Sequence, residues 1–432
     1  MIILIGFLLL LIFMIIGLPV IYSFGVCAVV MMLGLGYELS FIVTTAYART
    51  ATYTLLCVPL FILAGGIIEK GRMGTYLIQF INKFVGRFKC ALAYVSIITC
   101  GVFGALTGSA AATAASIGSI LTPQLRKAGY TPGFIGALFA NASILGLLIP
   151  PSTLMIVVAW STGLSVLACF MCTLLPGIVL ICFLCIVSAV LNRNNPNLQA
   201  EPSMPPKEWA VDLVHITKKA FPILLLPIII LGGIYGGLIT PTESAAVGAF
   251  YAIIIAMFVY RTMSVKGLKE VLVKSGTTAG VIMMSMFMVG VVSKVLTYAG
   301  LPELIVEAVH RMGANRYIVM LCINVILIIM GMLMDDTCVV LISAPLFFPL
   351  AQEIGFEPYH FAAIMGVNMG MATLTPPSAP SLYTCSRICQ AKVGDMLKPD
   401  MQFLLFAWVP TLILTILIPD LSLFIPRLMG LV

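Results

Sequence analysis

Charge is what this chain has least of. Among 432 residues only 9% are Asp, Glu, Lys or Arg, and there are three histidines. A soluble chain of this length would form two or three domains with charged surfaces, and 61% apolar residues leave too little polar surface for that. Many windows of eighteen or more residues carry no charge, so the composition points to an all-α, polytopic membrane protein embedded in a lipid bilayer. The net charge of +7 is scattered through short connecting segments, where it orients spans; no patch for nucleic acid forms. A phosphate-cradling G-x-x-x-x-G-K-[ST] is missing, which removes ATP as a drive. The twelve cysteines lie almost wholly inside apolar runs, so no disulfide framework is implied. Cys169-x-x-Cys172 and Cys182-x-x-Cys185 have zinc-like spacing but no histidine or charge beside them, and read as packing residues. The start, Met1 to Ile16, lacks the basic residues and A-x-A site of a signal peptide. It reads as a retained helix, with residues 1–36 one long element bent near Gly17-Leu18-Pro19.

Against this background one stretch is small, hydroxyl-rich and glycine-broken: Gly104 to Ser116, running on to Pro150-Pro151-Ser152. A helix made only to face lipid would use Leu, Ile and Phe there. Small residues let backbones approach, and broken helices free carbonyls and amides to face an ion or a substrate. The stretch has a second copy 226 positions on, without a gap. Pro123, Gly129, Pro132, Ala137 and Leu148 fall on Pro349, Gly355, Pro358, Ala363 and Leu374. Pro150-Pro151-Ser152 falls on Pro376-Pro377-Ser378, which makes eight identities in one register. Upstream, Ser109 meets Asp335 and Ala111 meets Thr337, so the tip chemistry differs between copies.

Basic segments set the orientation. Lys70, Arg72, Lys83, Arg87 and Lys89 place residues 70–89 in the cytoplasm, after a span containing Val58 to Gly66. Residues 91–125 start there and finish at the equally basic Arg126-Lys127, which makes them a re-entrant hairpin with its tip near Gly108-Ser109. Residues 37–53 read as a polar loop. Spans follow at about 134–160, 164–191, 220–239, 243–260 and 276–296. Five crossings is odd, so the second copy begins on the opposite face, where Glu303, Glu307, Glu353 and Glu357 are the local charges. Residues 317–350 then form a second hairpin entering from outside, followed by spans near 359–385 and 401–419. The whole is one membrane domain, 1–432. It comprises a first repeat core 91–160, connecting and scaffold spans 161–296, a second repeat core 317–385 and a C-terminal span in 386–432. Within the connecting part, 205–220 puts Trp209, Leu213 and Ile216 on one face, reading as an interfacial helix or a solvated connector. A repeat with odd parity is inverted, an architecture of secondary transporters with the site between the copies.

These features resemble a known family, the large membrane subunit of tripartite ATP-independent periplasmic (TRAP) transporters, of dicarboxylate and sialic acid type. The resemblance spans the full length. It rests on Pro59 to Gly65, Gly108-Ser109 through Ala115 with Ile117-Gly118, Lys127 to Tyr130, Leu148 to Ser152, Thr240 to Ala246, and Leu374 to Pro377. It implies sodium-driven import of an organic acid across the bacterial inner membrane, without enzymatic activity. A separate periplasmic binding protein would deliver the substrate and a small four-helix membrane subunit would support the chain. It also implies an elevator movement of the hairpins and their neighbours against a scaffold. Ala110-Ala111-Ala112 and Ser378-Ala379-Pro380 depart from the family pattern, where a second Gly or Ser and a Val-Gly are usual. A stand-alone sodium/carboxylate symporter, with the same inverted hairpins and no binding protein, is the alternative.

Sodium wants five or six hard oxygens, from carbonyls and hydroxyls at element ends. Two sets are candidates. The first is Gly108, Ser109 and Thr113 with Asn141, Gly146 and the carbonyls before Pro150; the second is Asp335, Asp336 and Thr337 with Asn368, Gly370, Thr373 and Thr375. For each hydroxyl, a bond back to its own helix carbonyl is the competing role. Asp335-Asp336 is the one acidic pair in a long apolar stretch. Candidate substrate contacts are Ser109, Ala110, Ser152, Thr375, Ser378 and Arg387, the last otherwise a cytoplasmic anchor.

Overall fold

Inside a bilayer no water satisfies the backbone, so each apolar segment closes its hydrogen bonds within itself. In the computed structural model, which describes residues 2–432 except 39, 197, 199–204, 314 and 378, every regular element is helical. Seven described helices are long and apolar enough to cross a membrane, and an eighth crossing is the bent pair Pro132–Leu148 and Thr153–Thr162.

The repeat read from eight identities extends to the architecture. The hairpin limbs Ala91–Thr107 and residues 110–127 have counterparts in Arg316–Leu333 and Asp336–Glu353. Pro132–Ser143 and its continuation to Leu148 match Pro358–Ala372, and both are followed by a break at a cis Pro-Pro, Pro150-Pro151 and Pro376-Pro377. Outward of this core the correspondence continues. Amphipathic helices Gly74–Val85 and Leu301–Met312 precede the two hairpins, and long spans Val166–Asn192 and Val393–Leu417 follow the two breaks.

The halves are interlocked. Helix Thr153–Thr162 of the first repeat packs on Asp336–Glu353 of the second, and Pro380–Cys389 packs on residues 114–127 of the first. Around them, helices of 2–70 and 206–298 form a second group, held together by contacts of Cys57–Lys70 with Pro241–Ile254 and Val265–Tyr298; it also meets the core directly, Cys57–Lys70 on Ala91–Thr107 and Val265–Tyr298 on Asp336–Glu353. The amphipathic helices bridge the two groups.

Four readings change. Residues 1–36 are not one bent element. Ile2–Ile15 and Val20–Leu35 fold back on each other, with Gly6 against Met31 and Gly34 against Ile2, and the Cys27 thiol donates to the Gly6 carbonyl. The turn is made at Gly17, whose φ of +87° suits glycine. The supposed loop 37–53 contains helix Ser40–Thr50. Residues 205–220 are not a separate interfacial helix but the start of Pro206–Tyr235, about 45 Å long and so longer than a bilayer core. The Trp209 indole donates to the Lys83 carbonyl at 3.2 Å and Lys83 pairs with Asp212, which ties this overhang to Gly74–Val85. Finally Val166–Asn192, which the sequence grouped with the connecting spans, packs in the core beside Pro358–Ala372 and the last helix, Asp420–Leu428.

Candidate functional site

The first tip is built by glycine and closed by hydroxyls. Helix Ala91–Thr107 ends at Gly108, in the left-handed region at φ +60°. Ser109 is extended and caps the next limb, its Oγ accepting from the Ala112 amide at 3.4 Å. Thr113 Oγ1 donates to the Ser109 carbonyl at 2.8 Å and lies 3.1 Å from Thr107 Oγ1. Thr107 and Thr113 are fully buried.

The tip rests on the break of its own repeat. Thr153 Oγ1 donates to the Gly108 carbonyl at 2.9 Å, and a Cβ on Gly108 would stand 3.0 Å from the Pro151 carbonyl oxygen. Behind it, Gly104 and Gly146 touch backbone to backbone: a Cβ on Gly104 would fall 2.5 Å from the Gly146 Cα. A Cβ on Gly146 would lie 3.3 Å from both the Ser109 carbonyl oxygen and Thr113 Oγ1. Gly108, Ser109, Thr113, Gly146 and the Pro151 carbonyl thus form one oxygen-rich knot. The Gly108 carbonyl, taken by one hydroxyl, keeps a second lone pair, whereas the Ser109 carbonyl also accepts from the Thr113 amide at 3.1 Å. Helix extends about 25 Å on one side of the break and about 15 Å on the other, so the knot lies inside the bilayer.

The second tip has the same skeleton and other chemistry. Arg316–Leu333 ends in extended Met334, and Asp335 takes the capping position with φ −64° and ψ 145°. Its side chain makes no capping bond and is exposed, whereas Asp336 accepts from the Thr337 amide at 2.8 Å. A Cβ on Gly331 would reach the Ala372 Cβ at 2.5 Å, the counterpart within one residue of the Gly104–Gly146 contact.

Comparison with known proteins agrees with this skeleton. Residues 7–421 match the family "Tripartite ATP-independent periplasmic transporter, DctM component". The chain belongs to this family. It is 36% identical over 378 residues to the C4-dicarboxylate TRAP transporter large permease protein DctM of Pseudomonas aeruginosa, covering 88% of this chain and 87% of that one. It is 34% identical to the protein of the same name from Vibrio cholerae, covering 96% and 95%. The YdaH transporter of Alcanivorax borkumensis shares the fold, with a TM-score of 0.61 at 14% identity over 89% of this chain and 90% of that one. As a DctM-type permease the chain is a multi-pass inner-membrane protein, and its relatives are permeases, not enzymes.

Not every predicted residue of this permease joins a tip. Asn141 faces the last span: its amide donates to Asp400 Oδ1 at 2.8 Å and to the Ala137 carbonyl, and its oxygen accepts from the Trp408 indole at 2.9 Å. Asn368 donates to Asn324 Oδ1 at 2.7 Å, in the first limb of the second hairpin. Gly370 makes room for the Trp408 ring. Thr373 and Thr375 donate back to the Gly370 and Met371 carbonyls, both at 2.9 Å, the competing role for such hydroxyls. Ser152 is buried and fully engaged, donating to the Leu147 carbonyl and accepting from the Met155 amide. Ser109 and Ala110 are partly open, as is Thr375. Ser378 lies outside the described residues. Arg387 is exposed in the last turn of Pro380–Cys389, about 10 Å along the helix from its start after the break.

Sequence reasoning passed over Asp400. It is wholly buried, bonded to Asn141 through one oxygen, with the other oxygen unpartnered. The signal was an acid at the very start of the apolar run 401–419, directly after Lys398-Pro399.

Proposed function

We propose that this permease takes up an organic acid, a C4-dicarboxylate or related sugar acid, by sodium symport. The observation that carries this reading is the pairing of two interrupted hairpins with two interrupted spans, so that backbone oxygens and helix N-termini meet inside the bilayer. One sodium would sit in the Gly108–Ser109–Thr113–Gly146 knot, whose donors are the hard oxygens that ion requires. A second would sit at the Asp335–Thr337 tip, with Asp336 or Asp335 supplying a carboxylate. Sodium is cargo here, released on the far side with the substrate.

The substrate carboxylate would lie against the limb that starts at Ala110. Pro380–Cys389 packs beside this limb, and the helix N-terminus supplies partial positive charge. The division into an interlocked core and a surrounding group supports an elevator movement, in which both tips travel with the core. On the outer face a cavity of 540 Å³ separates the two, lined by Tyr53, Trp160, Leu164 and Thr240 among others. The drive is adequate: one sodium moving down 100 mV releases about 2.3 kcal/mol before any concentration term. Further partners would be a periplasmic binding protein that hands over the acid and a small four-helix membrane subunit seated on the scaffold.

The test is uptake by the permease and its small subunit in proteoliposomes, with and without the purified binding protein. Uptake only with both sodium and the binding protein is expected. Sodium-driven uptake that ignores the binding protein would select the stand-alone symporter instead.

A further inference from the structure

At the cytoplasmic end of the scaffold, three basic side chains have acidic partners. Lys70 pairs with Glu270, Lys274 with Glu69 and Lys83 with Asp212. Among the described residues Arg72, Lys218 and Lys219 have no acidic partner, and what sets these three apart is that all line one cavity of 630 Å³. Its floor is Thr75, Tyr76, Pro222 and Tyr260. Tyr76 and Tyr260 stack at 4.2 Å, and the Tyr260 hydroxyl donates to the Lys219 carbonyl at 2.7 Å, which fixes the wall that carries the two lysines.

The cavity sits at the level of a lipid headgroup. Tyr260 follows the inner end of Pro241–Val259, and Arg72 follows the inner end of Cys57–Lys70. From Lys219 to Tyr235 the helix runs about 24 Å, most of a hydrocarbon core, before reaching the other face. Beside the cavity Phe258 is 68% and Val259 52% exposed, an apolar wall facing outward where acyl chains would lie. Three unneutralised cations around a cavity at the inner interface, with an apolar flank, match an anionic lipid: a phosphodiester for the cations, chains for the flank. A soluble phosphate would not need the flank.

We propose that this cavity binds the phosphodiester headgroup of an anionic glycerophospholipid of the inner leaflet. The site pins Gly74–Val85, the bridge from scaffold to first hairpin, to the bilayer surface. It is independent of the substrate and of sodium.

The experiment uses the full-length permease in detergent, titrated with phosphatidylglycerol or phosphatidylcholine and read by native mass spectrometry and by unfolding temperature. Phosphatidylglycerol should bind and stabilise, and phosphatidylcholine should not. The triple variant Arg72→Gln, Lys218→Gln, Lys219→Gln should bind about a hundredfold more weakly, at about fivefold per cation. A control removing Lys127, Lys266 and Lys269, all outside the cavity, should bind like the unmodified chain. Equal losses in both variants would reduce the effect to general surface charge and overturn the site. Competition by inorganic phosphate at equal concentration would overturn the lipid assignment. Displacement of bound phosphatidylglycerol by the small membrane subunit would mark the cavity as a protein contact and also overturn it.

Discussion

Replacing Gly104 with alanine probes the site through its tightest contact. The added methyl would fall 2.5 Å from the Gly146 Cα and 2.7 Å from its amide nitrogen, both backbone atoms that cannot rotate away. Ordinary carbon contacts are about 3.5–4.0 Å, so the hairpin limb and the span must separate by about 1 Å. That separation pulls Ser109 and Thr113 from the Gly146 side of the knot. Overpacking of this kind costs about 1–3 kcal/mol. If the strain falls on the ion-bound state, the sodium needed for half-maximal uptake rises about five- to hundredfold. The assay is sodium-titrated uptake in proteoliposomes, with Gly280→Ala as control, because a methyl there meets nothing within 4 Å. Gly331→Ala should act similarly from the second repeat, since its methyl meets the Ala372 Cβ at 2.5 Å. Sodium titrations of both variants that overlay the control would refute the account of how tip and break fit together.

Other substitutions follow from single contacts. Thr113→Val removes the hydroxyl that joins Thr107 to the Ser109 carbonyl, and should raise the sodium requirement about tenfold while Thr113→Ser restores it; unfolding temperature separates folding loss from site loss. Asn141→Leu strands both Asp400 and the Trp408 indole, and should destabilise by about 2–4 kcal/mol in thermal unfolding. Asp400→Asn removes the buried charge at nearly constant shape and should be better tolerated than Asn141→Leu; the reverse order would contradict this network. Arg387→Gln should leave the KM for substrate unchanged, as befits an exposed side chain about 10 Å along its helix, and a KM raised tenfold would return it to the site.

What the sequence made legible is what backbone chemistry dictates. Pro-Pro removes amides and breaks a helix wherever it stands, so both interruptions were visible, as was the hairpin bounded by Lys89 and Arg126 on one side. The rest depends on contacts between distant segments. Gly17-Leu18-Pro19 reads equally as a kink or a turn, and only the packing of Gly6 on Met31 decides for the turn. Ser40–Thr50 contains too many polar residues to announce a helix and is held by packing on Val265–Tyr298. Asn141 is sited beside a break, but its partner lies 259 residues away on a helix whose facing side no local pattern specifies. The hydroxyls of Thr373 and Thr375 could serve an ion or their own helix, and rotamer and register, not composition, turn them inward on the helix.

The central claim is that a sodium gradient alone drives this permease through its two broken repeats. It is tested most directly by imposing that gradient on proteoliposomes holding the permease and small subunit, with binding protein and radiolabelled C4-dicarboxylate outside, no ATP and the potential clamped at zero. The account predicts accumulation above the external concentration that collapses when the sodium gradient is abolished. Accumulation of the same extent with sodium equal on both sides, or absent, would contradict it.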